Sequence, residues 1–514
     1  MLSRVLSGEE AKRKLVDGVN LVADIAKVTM GAEGKTVFIE RSHDLMPHAT
    51  KDGVTAVHAV YGRDSFEEMG VKIVKQATNK VTKDEGDGST LCTVLTQALV
   101  NKGFEALSDY SHVSLNKEIY DTHKLVISEL DKLTKNTDYQ NKKYIATISA
   151  NGDESIGTMI ADLYEELGDD VAITVKEGVG KKTTATKLQG LVVERGMALP
   201  YFAEDDKQNS LNFLGGVNIL VVRGKISDLS QIAEPLRESM NTSKALLLMV
   251  DDIEEGVMKT LVEAKLKNGK RLSVTINDSN GRKDESLEDV YLATNAQPLD
   301  LRISNPTYRF GEVKEVFSDQ NQTILIPESI SDKIKGRVSE LKELMEDADV
   351  FEKAIIQKRV SNLQAAVAEI TVGGMTDMEI KERKDRVDDA VLAVKSAIRG
   401  GFVAGGGTTL YYISNKLSPK VKTIGGRILL DSIKRPMLQI LENAKIEVPK
   451  NITYGKGIDV RKRKIVDLFK AGVVDSTRVI KSCLENSISV STVIFTTEVL
   501  ILNEDPKYIH NSSL

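Results

Sequence analysis

The sequence predicts a multidomain protein of α and α/β parts, on three observations. Its 514 residues exceed a single core and divide into three or four domains at roughly 150 residues each. Both ends of the chain carry apolar residues at helical spacing. The middle alternates short apolar runs with helical segments, the texture of an α/β layer. Composition agrees with a folded chain: 41% hydrophobic, 28% charged and a net charge of −5 are far from the disordered regime. With no Trp, 11 Phe and 13 Tyr beside 37 Gly, the core has to be aliphatic.

Residues Glu9–Met30 place Leu15, Val19, Val22, Ile25, Ala26 and Thr29 on one helical stripe. Thr36–Glu40 reads as a strand and Gly53–Val60 as a short extended or early helical piece. Helices are expected over Ser65–Val81 and Ser89–Asn101, the second stopped by Gly103 as a C-terminal cap. Val171–Val175, Gly216–Val222, Ala245–Val250 and Arg271–Ile276 read as buried strands, with helices at Leu229–Met240 and Glu254–Lys267. A charged helix or helical hairpin spans Ile334–Glu369, its stripe made of Val338, Leu341, Leu344, Met345, Ala348 and Phe351. Ile380–Ile398 is a further helix, with Ile380, Val387, Val391, Val394 and Ile398 on one face. The tail Ile488–Leu502 fits either a buried helix or a strand.

Several functions are excluded. Runs such as Ala245–Val250 are too short to span a bilayer, and the N-terminus lacks the apolar core of a secretory signal. Cys92 and Cys483 cannot build a disulfide framework or a zinc finger, which fits a reducing cytoplasm. With 70 basic against 75 acidic residues, no global field favours nucleic acid or an anionic membrane. The six histidines lack metal-ligand spacing, and no G-x-S-x-G elbow appears. The basic run Arg461–Lys464 reads as a solvated helix face.

Glycine-rich loops carry the chemistry. Gly31-Ala-Glu-Gly34-Lys35-Thr36 has two residues, not four, before its Gly-Lys pair, and a strand follows it, so it is a turn rather than a P-loop. Glu85-Gly86-Asp87-Gly88-Ser89-Thr90 is richer: a tight turn feeds a helix N-terminus whose free amides suit phosphate. Asp87 there is placed to bind a Mg2+ that already carries phosphate oxygens; an ordinary helix cap is the equal alternative. Lys51-Asp52-Gly53 offers a second carboxylate on a turn, and Gly405-Gly406-Gly407 a third flexible backbone site. Asp389 falls opposite the apolar stripe of its helix, where periodicity alone makes it a solvent-facing acid.

In this order the segments resemble the GroEL-type (group I) chaperonins, from about Leu15 to Leu502. The motifs are Val28-Thr29-Met30-Gly31, Thr50-Lys51-Asp52-Gly53-Val54, Gly86-Asp87-Gly88-Ser89-Thr90 with Thr93-Val94-Leu95, and Thr147-Ile148-Ser149-Ala150-Asn151. Glu194-Arg195-Gly196, Arg386-Val387-Asp388-Asp389-Ala390 and Val403-Ala404-Gly405-Gly406-Gly407 follow. The resemblance implies the chaperonin fold: an all-helical equatorial domain (1–133 and 400–514), a small α/β intermediate domain (134–189 and 368–399) and an α/β apical domain (190–367). It implies an ATP-dependent chaperone and ATPase, a homo-oligomer in seven-subunit rings, single or double. The clients are unfolded polypeptides and a co-chaperonin is a further partner; nucleic acid and membrane are not partners. The place is the bacterial cytoplasm, or a host's if the member is a divergent one carried by a bacteriophage.

Carried over by residue, Thr29, Met30 and Gly31 contact phosphates and base through backbone. Asp87 holds Mg2+, and Gly88, Ser89 and Thr90 cradle phosphate. Lys51, Asp52 and Gly53 lie near the γ-phosphate and its ions, Mg2+ and K+, with Asp52 placing the attacking water. Gly406 meets the ribose, Asp475 accepts from its hydroxyls, and Asp459 and Val473 border the adenine. Asp389 orients or deprotonates the water. Met197, Leu199, Tyr201, Phe202, Leu236, Met258, Leu261 and Val262 present the client groove. Asp153 pairs with Arg386, and Arg195 with Asp377 of a neighbour.

Departures from the family pattern are Ala32 for a proline, Leu91 for a hydroxyl, Asp459 for an asparagine, and Ala233 and Glu263 for apolar groove positions. Ala365-Ala366 replaces a Gly-Gly hinge and should narrow its motion. Asn443–Asp459 is shorter than the family's segment, which favours a single ring or a weak double one. These changes motivate the alternative of a ring-forming holdase or scaffold with weak or uncoupled ATPase.

Overall fold

A computed structural model describes residues 2–40, 47–169, 171–178, 180–204, 210–269, 271–276, 283–327, 332–347, 350–363, 366–449 and 452–504. The chain divides into two units, Met1–Glu165 with Asp385–Leu514, and Glu166–Lys384.

The first unit is framed by helices. In Gly8–Ala26, the residues Ala11, Leu15, Val19, Val22 and Ala26 recur at three- and four-residue steps and all are buried, the single stripe of a helix with one face on a core. Helix Ser65–Glu85 buries Val71, Val74 and Val81, and helix Thr477–Thr496 buries Ile480, Cys483, Leu484 and Ile488, in the same aliphatic core. Helix Ser89–Ala106 buries Cys92, Val94, Leu95, Leu99 and Val100 on several faces. It is the central member, packed against the other three and against Ile424–Ser432.

That helix runs past the expected stop. Gly103 is not a cap but a contact: a Cβ there would stand 2.0 Å from Phe495 Cζ. Two-stranded ribbons are added to the helical frame. Leu2–Ser7 pairs antiparallel with Val499–Glu504, so the tail is helix and then strand. Val37–Ile39 pairs with His48–Thr50, Phe402–Ala404 with Val474–Ser476, and Lys456–Asp459 with Lys464–Asp467. The last hairpin corrects one expectation, since in the basic run Arg461–Lys464 the first three residues form its turn and Lys464 opens its second strand, rather than a helix face.

The second unit is α/β. Strands Val217–Ile226, Ala245–Ile253 and Leu272–Ile276 run parallel, Leu220 opposite Leu248 and Leu248 opposite Val274. Leu299–Asp300 extends the sheet in parallel and Gly311–Val313 in antiparallel pairing. The first three strands are buried almost throughout, which is why the first two carry apolar runs, Ile219–Val222 and Ala245–Val250, while the third buries Ser273 and Thr275 beside its apolar residues. A four-stranded antiparallel sheet orders Leu191–Val193, Thr323–Ile326, Glu315–Ser318 and Leu211–Phe213. In a third sheet Ala366–Val372 lies between Ala172–Glu177, parallel, and Thr184–Gln189, antiparallel.

The stretch expected to be a helix or helical hairpin to Glu369 forms two helices, Asp332–Asp347 and Val350–Leu363, packed on each other, but its end enters this strand instead. Val367, Ile370 and Val372 are fully buried there, so sheet packing overrides the charged pattern. Val338 and Leu341 are buried as expected, while Leu344 is exposed. Ala348, Ala365, His43 and His510 lie outside the described residues.

Candidate functional site

The Gly86-Asp87-Gly88 loop joins helices Ser65–Glu85 and Ser89–Ala106. Gly86 ends the first at φ +79° and Gly88 opens the second at φ +103°, backbone that favours glycine. Gly88 brings no side chain to cap the second helix, so its leading amides and the positive end of its dipole remain available to an anion. The loop is anchored from below, where the Cys483 thiol lies 3.3 Å from the Gly88 carbonyl oxygen. Asp87 is exposed, and Ser149 Oγ donates to its Oδ2 at 3.2 Å.

A second turn meets this helix end. Asp52 caps Gly53–His58, accepting from the Val54 and Thr55 amides at 3.2 and 2.7 Å and from Thr55 Oγ1 at 2.6 Å. Gly53 is the point of closest approach: a Cβ there would lie 2.0 Å from Thr90 Oγ1 and 3.5 Å from Thr29 Oγ1. Thr29, Gly53 and Thr90 are therefore neighbours. The Thr29–Gly31 segment is fixed from behind, since Asn443 Nδ2 donates to the Lys27 and Met30 carbonyls at 2.8 and 2.9 Å. Lys51 is exposed beside Asp52.

The third loop is Gly405-Gly406-Gly407. Gly406 and Gly407 adopt φ +65° and +70°, and the Asp475 carboxylate accepts from their amides. Val473 Cγ1 lies 3.6 Å from the position of a Gly406 Cβ. Asp459 stands apart in role, its carboxylate accepting from the Arg461 and Lys462 amides of its own hairpin turn at 3.0 and 3.2 Å.

Electrostatics ties the parts together. Burial, and then the negative charges of Asp52 and Asp87, followed by Asp388 and Asp385, hold the Asp389 carboxyl well above its usual range. Asp389 is thus half-buried and within reach of the loop carboxylates, which corrects its reading as a solvent-facing acid. Burial and then the charge of Asp87 push Asp475 up to about 6. Although the Asp87 side chain reaches solvent, the protein packed around its carboxyl raises it too, with a smaller upward push from Asp52. Asp87 stands amid the repelling charges of Asp52, Asp389 and Asp475 and beside an uncapped helix N-terminus, an arrangement that suits a ligand bringing both a cation and an anion. No three His, Cys, Asp or Glu among the described residues form a group able to hold a metal themselves. A Mg2+ fits through one carboxylate, Asp87, and ligand oxygens.

Sequence reasoning missed Ser149 and Asn443 as supports. Ser149 lies inside a quoted motif, Thr147–Asn151, while no local signal marks Asn443.

The expected client positions lie in the second unit and differ in exposure. Met197, Phe202, Met258 and Leu261 are buried in its core. Leu199, Leu236 and Val262 pack partly buried against that core, and Tyr201 alone is largely exposed, at 64%. The cause is geometric: Met258 and Leu261 are on the inward stripe of helix Glu255–Asn268, and Phe202 closes a 3-10 turn whose carbonyls at Tyr201 and Ala203 accept from Lys265 Nζ at 3.0 and 2.7 Å. On the same surface helices, Met240 and Leu266 are exposed at 57% and 67%.

The TCP-1/cpn60 chaperonin family model matches residues 216–505. Among solved structures the chain is similar to the chaperonin gp146 from the bacteriophage EL 2 (Pseudomonas aeruginosa), crystallised in presence of ATP-BeFx. For crystal form II the TM-score is 0.72 at 21% sequence identity, covering 98% of this chain and 99% of that one. For crystal form I it is 0.65 at 21% identity, with the same coverage.

Proposed function

Since the chain belongs to the TCP-1/cpn60 chaperonin family, we propose that it is an ATP-driven chaperone that binds unfolded polypeptides in a homo-oligomeric ring. The observation that carries this reading is the gathering of Asp52, Asp389 and Asp475 about Asp87, beside the helix N-terminus that Gly88 leaves uncapped. The ATP-BeFx present with gp146 supports a nucleotide as the ligand. When bound, Mg2+ at Asp87 supplies neutralisation of phosphate charge.

Gly88, Ser89 and Thr90 hold phosphate at a helix N-terminus, with the backbone of Thr29, Met30 and Gly31 opposite and Lys51 and Gly53 at its far edge. Gly406 and Asp475 take the ribose, with Val473 and the hairpin of Asp459 beside the base. Asp52, rigid as a cap, orients water. Asp389, once its neighbours are neutralised, ionises and takes the proton of the attacking water. Within this reading, 134–189 and 368–399 act as the hinge that couples Asp389 to the client-binding part, in a seven-subunit ring in the cytoplasm. K+ is a second ion of the site and a co-chaperonin a further partner. Tyr201, Leu199, Leu236 and Val262, joined by Met240 and Leu266, form the client surface, while Met197, Phe202, Met258 and Leu261 hold its shape from beneath.

The test is ATP turnover by the full chain with and without an aggregating client. Asp389→Asn is expected to keep ATP binding and to lose turnover by about 100-fold or more. Unchanged turnover in the variant would refute the assignment, and client capture by a wild type without turnover would leave a holdase.

A further inference from the structure

Next to the four site carboxylates the fold buries a fifth. Glu85, the last residue of its helix and 6% exposed, immediately precedes Gly86-Asp87-Gly88. Its carboxylate accepts from Arg478 Nε at 3.1 and 3.3 Å and from Arg478 Nη2 at 3.1 Å. Ser396 Oγ donates to Glu85 Oε2 at 2.6 Å and lies 3.0 Å from Ser476 Oγ.

Each partner sits on an element that carries a site residue. Ser396 follows Asp389 by seven residues, about two helical turns, so the two share one face of helix Asp377–Gly400. The Gly86 loop lies along that face: a Cβ on Gly86 would stand 2.2 Å from Leu392 Cβ and 2.9 Å from the Ala393 nitrogen. Ser476 adjoins Asp475 in its strand, and Arg478 is in the helix that follows. The Arg478 stem also crosses the end of the Asp389 helix, its Cγ 2.2 Å from the position of a Gly400 Cβ.

Resting on the nucleotide-site reading above, we propose that Glu85 is a positioning residue for ATP hydrolysis. With Ser396, Ser476 and Arg478 it locks the Asp87 loop, the Asp389 helix and the Asp475 strand into one register. Stability is a poor reason for the arrangement, because the Arg478 side chain is 44% exposed and an ion pair that reaches solvent on one side contributes little. Register is what a directional polar clamp supplies and an apolar contact does not. Asp389 has to be held at a fixed place relative to the phosphate loop, and a misplacement of about 1 Å costs on the order of 100-fold in rate.

The test measures steady-state ATP turnover, equilibrium ATP binding and thermal unfolding for full-length Glu85→Ala, Glu85→Gln, Ser396→Ala and the Glu85→Ala/Ser396→Ala pair. Glu85→Ala is expected to lower kcat about tenfold or more while KM and the ATP Kd stay within about threefold. Glu85→Gln, which keeps an acceptor for Ser396, should recover part of the loss. The double variant should be no slower than Glu85→Ala, since the two act as one unit. A kcat within about twofold of wild type, or a loss carried by KM alone, overturns the proposal whatever the melting temperature does.

A wild type that does not turn over ATP would instead remove the nucleotide reading. The clamp is then judged by hydrogen exchange in the ligand-free protein. Glu85→Ala should speed exchange at 86–90 and 385–396 by about tenfold and leave Gly8–Ala26 unchanged; unaltered rates at the first two segments overturn it.

Discussion

Asp475→Asn is expected to stabilise the ligand-free protein at neutral pH while weakening its hold on nucleotide. Burial and then the charge of Asp87 raise the Asp475 carboxyl from 3.8 to about 6. At about 1.4 kcal/mol per pH unit, that displacement costs the folded state about 3 kcal/mol once the group is ionised in both states. Solvent reaching the half-buried carboxylate reduces the realised cost to about 1–2 kcal/mol. The sign follows from proton counting. Between about pH 4 and 6 the folded protein holds this proton and the unfolded chain does not, so stability falls as pH rises through that window. Asparagine keeps an acceptor for the Gly406 and Gly407 amides and removes the charge. Guanidinium denaturation should therefore show a gain of about 1–2 kcal/mol near pH 7.5, about half of it near pH 5 and almost none near pH 4. A gain of equal size at every pH would assign the effect to packing, and a loss near neutral pH would show that the amide hydrogen bonds, not repulsion, dominate; either refutes the reasoning.

Gly103→Ala is expected to destabilise by about 1–3 kcal/mol through overpacking, because its Cβ meets Phe495 Cζ at 2.0 Å. Phe495→Leu in the same chain should cost less than the two changes summed, which thermal melts of the three variants would reveal. In the second unit, Tyr201→Ser should leave the melting temperature within error and reduce capture of an unfolded client. Phe202→Ala, fully buried one residue later, should cost about 3–5 kcal/mol. Equal losses of stability from the two would mean that Tyr201 is structural.

What the sequence shows of this molecule depends on how local the cause is. The stripe of Leu15, Val19 and Val22, the unbroken runs that became parallel strands, and the Gly-Asp-Gly turn are all set by residues close to one another, and all are legible. Gly103 misleads because a glycine near a helix end has a good local use as a cap, whereas the packing that requires it comes from Phe495. Asp389 looks solvent-facing because the charges that surround it, Asp52 and Asp87, come from the far end of the chain. Likewise Met258 and Leu261 are apolar on a surface helix whichever way the helix is turned, and only the sheet beneath decides that they face inward. Glu85 is invisible as a clamp until Ser396 and Arg478 are brought to it.

On the proposed reading, the arrangement of charge would also decide which form of nucleotide the site accepts. The uncapped N-terminus of helix Ser89–Ala106 favours anions, while Asp52, Asp87, Asp389 and Asp475 repel them. Free ATP brings only negative charge, so it gains at the amides what it loses against the carboxylates. A divalent cation reverses the second term without weakening the first. ATP binding followed by calorimetry is therefore expected to weaken by about 100-fold or more when EDTA removes Mg2+, and by much less in Asp87→Asn, where one repelling charge is already gone. Equal affinities with and without Mg2+ in the wild type would mean that the carboxylates do not face the phosphates, and the assignment of Asp87 would fall with that result.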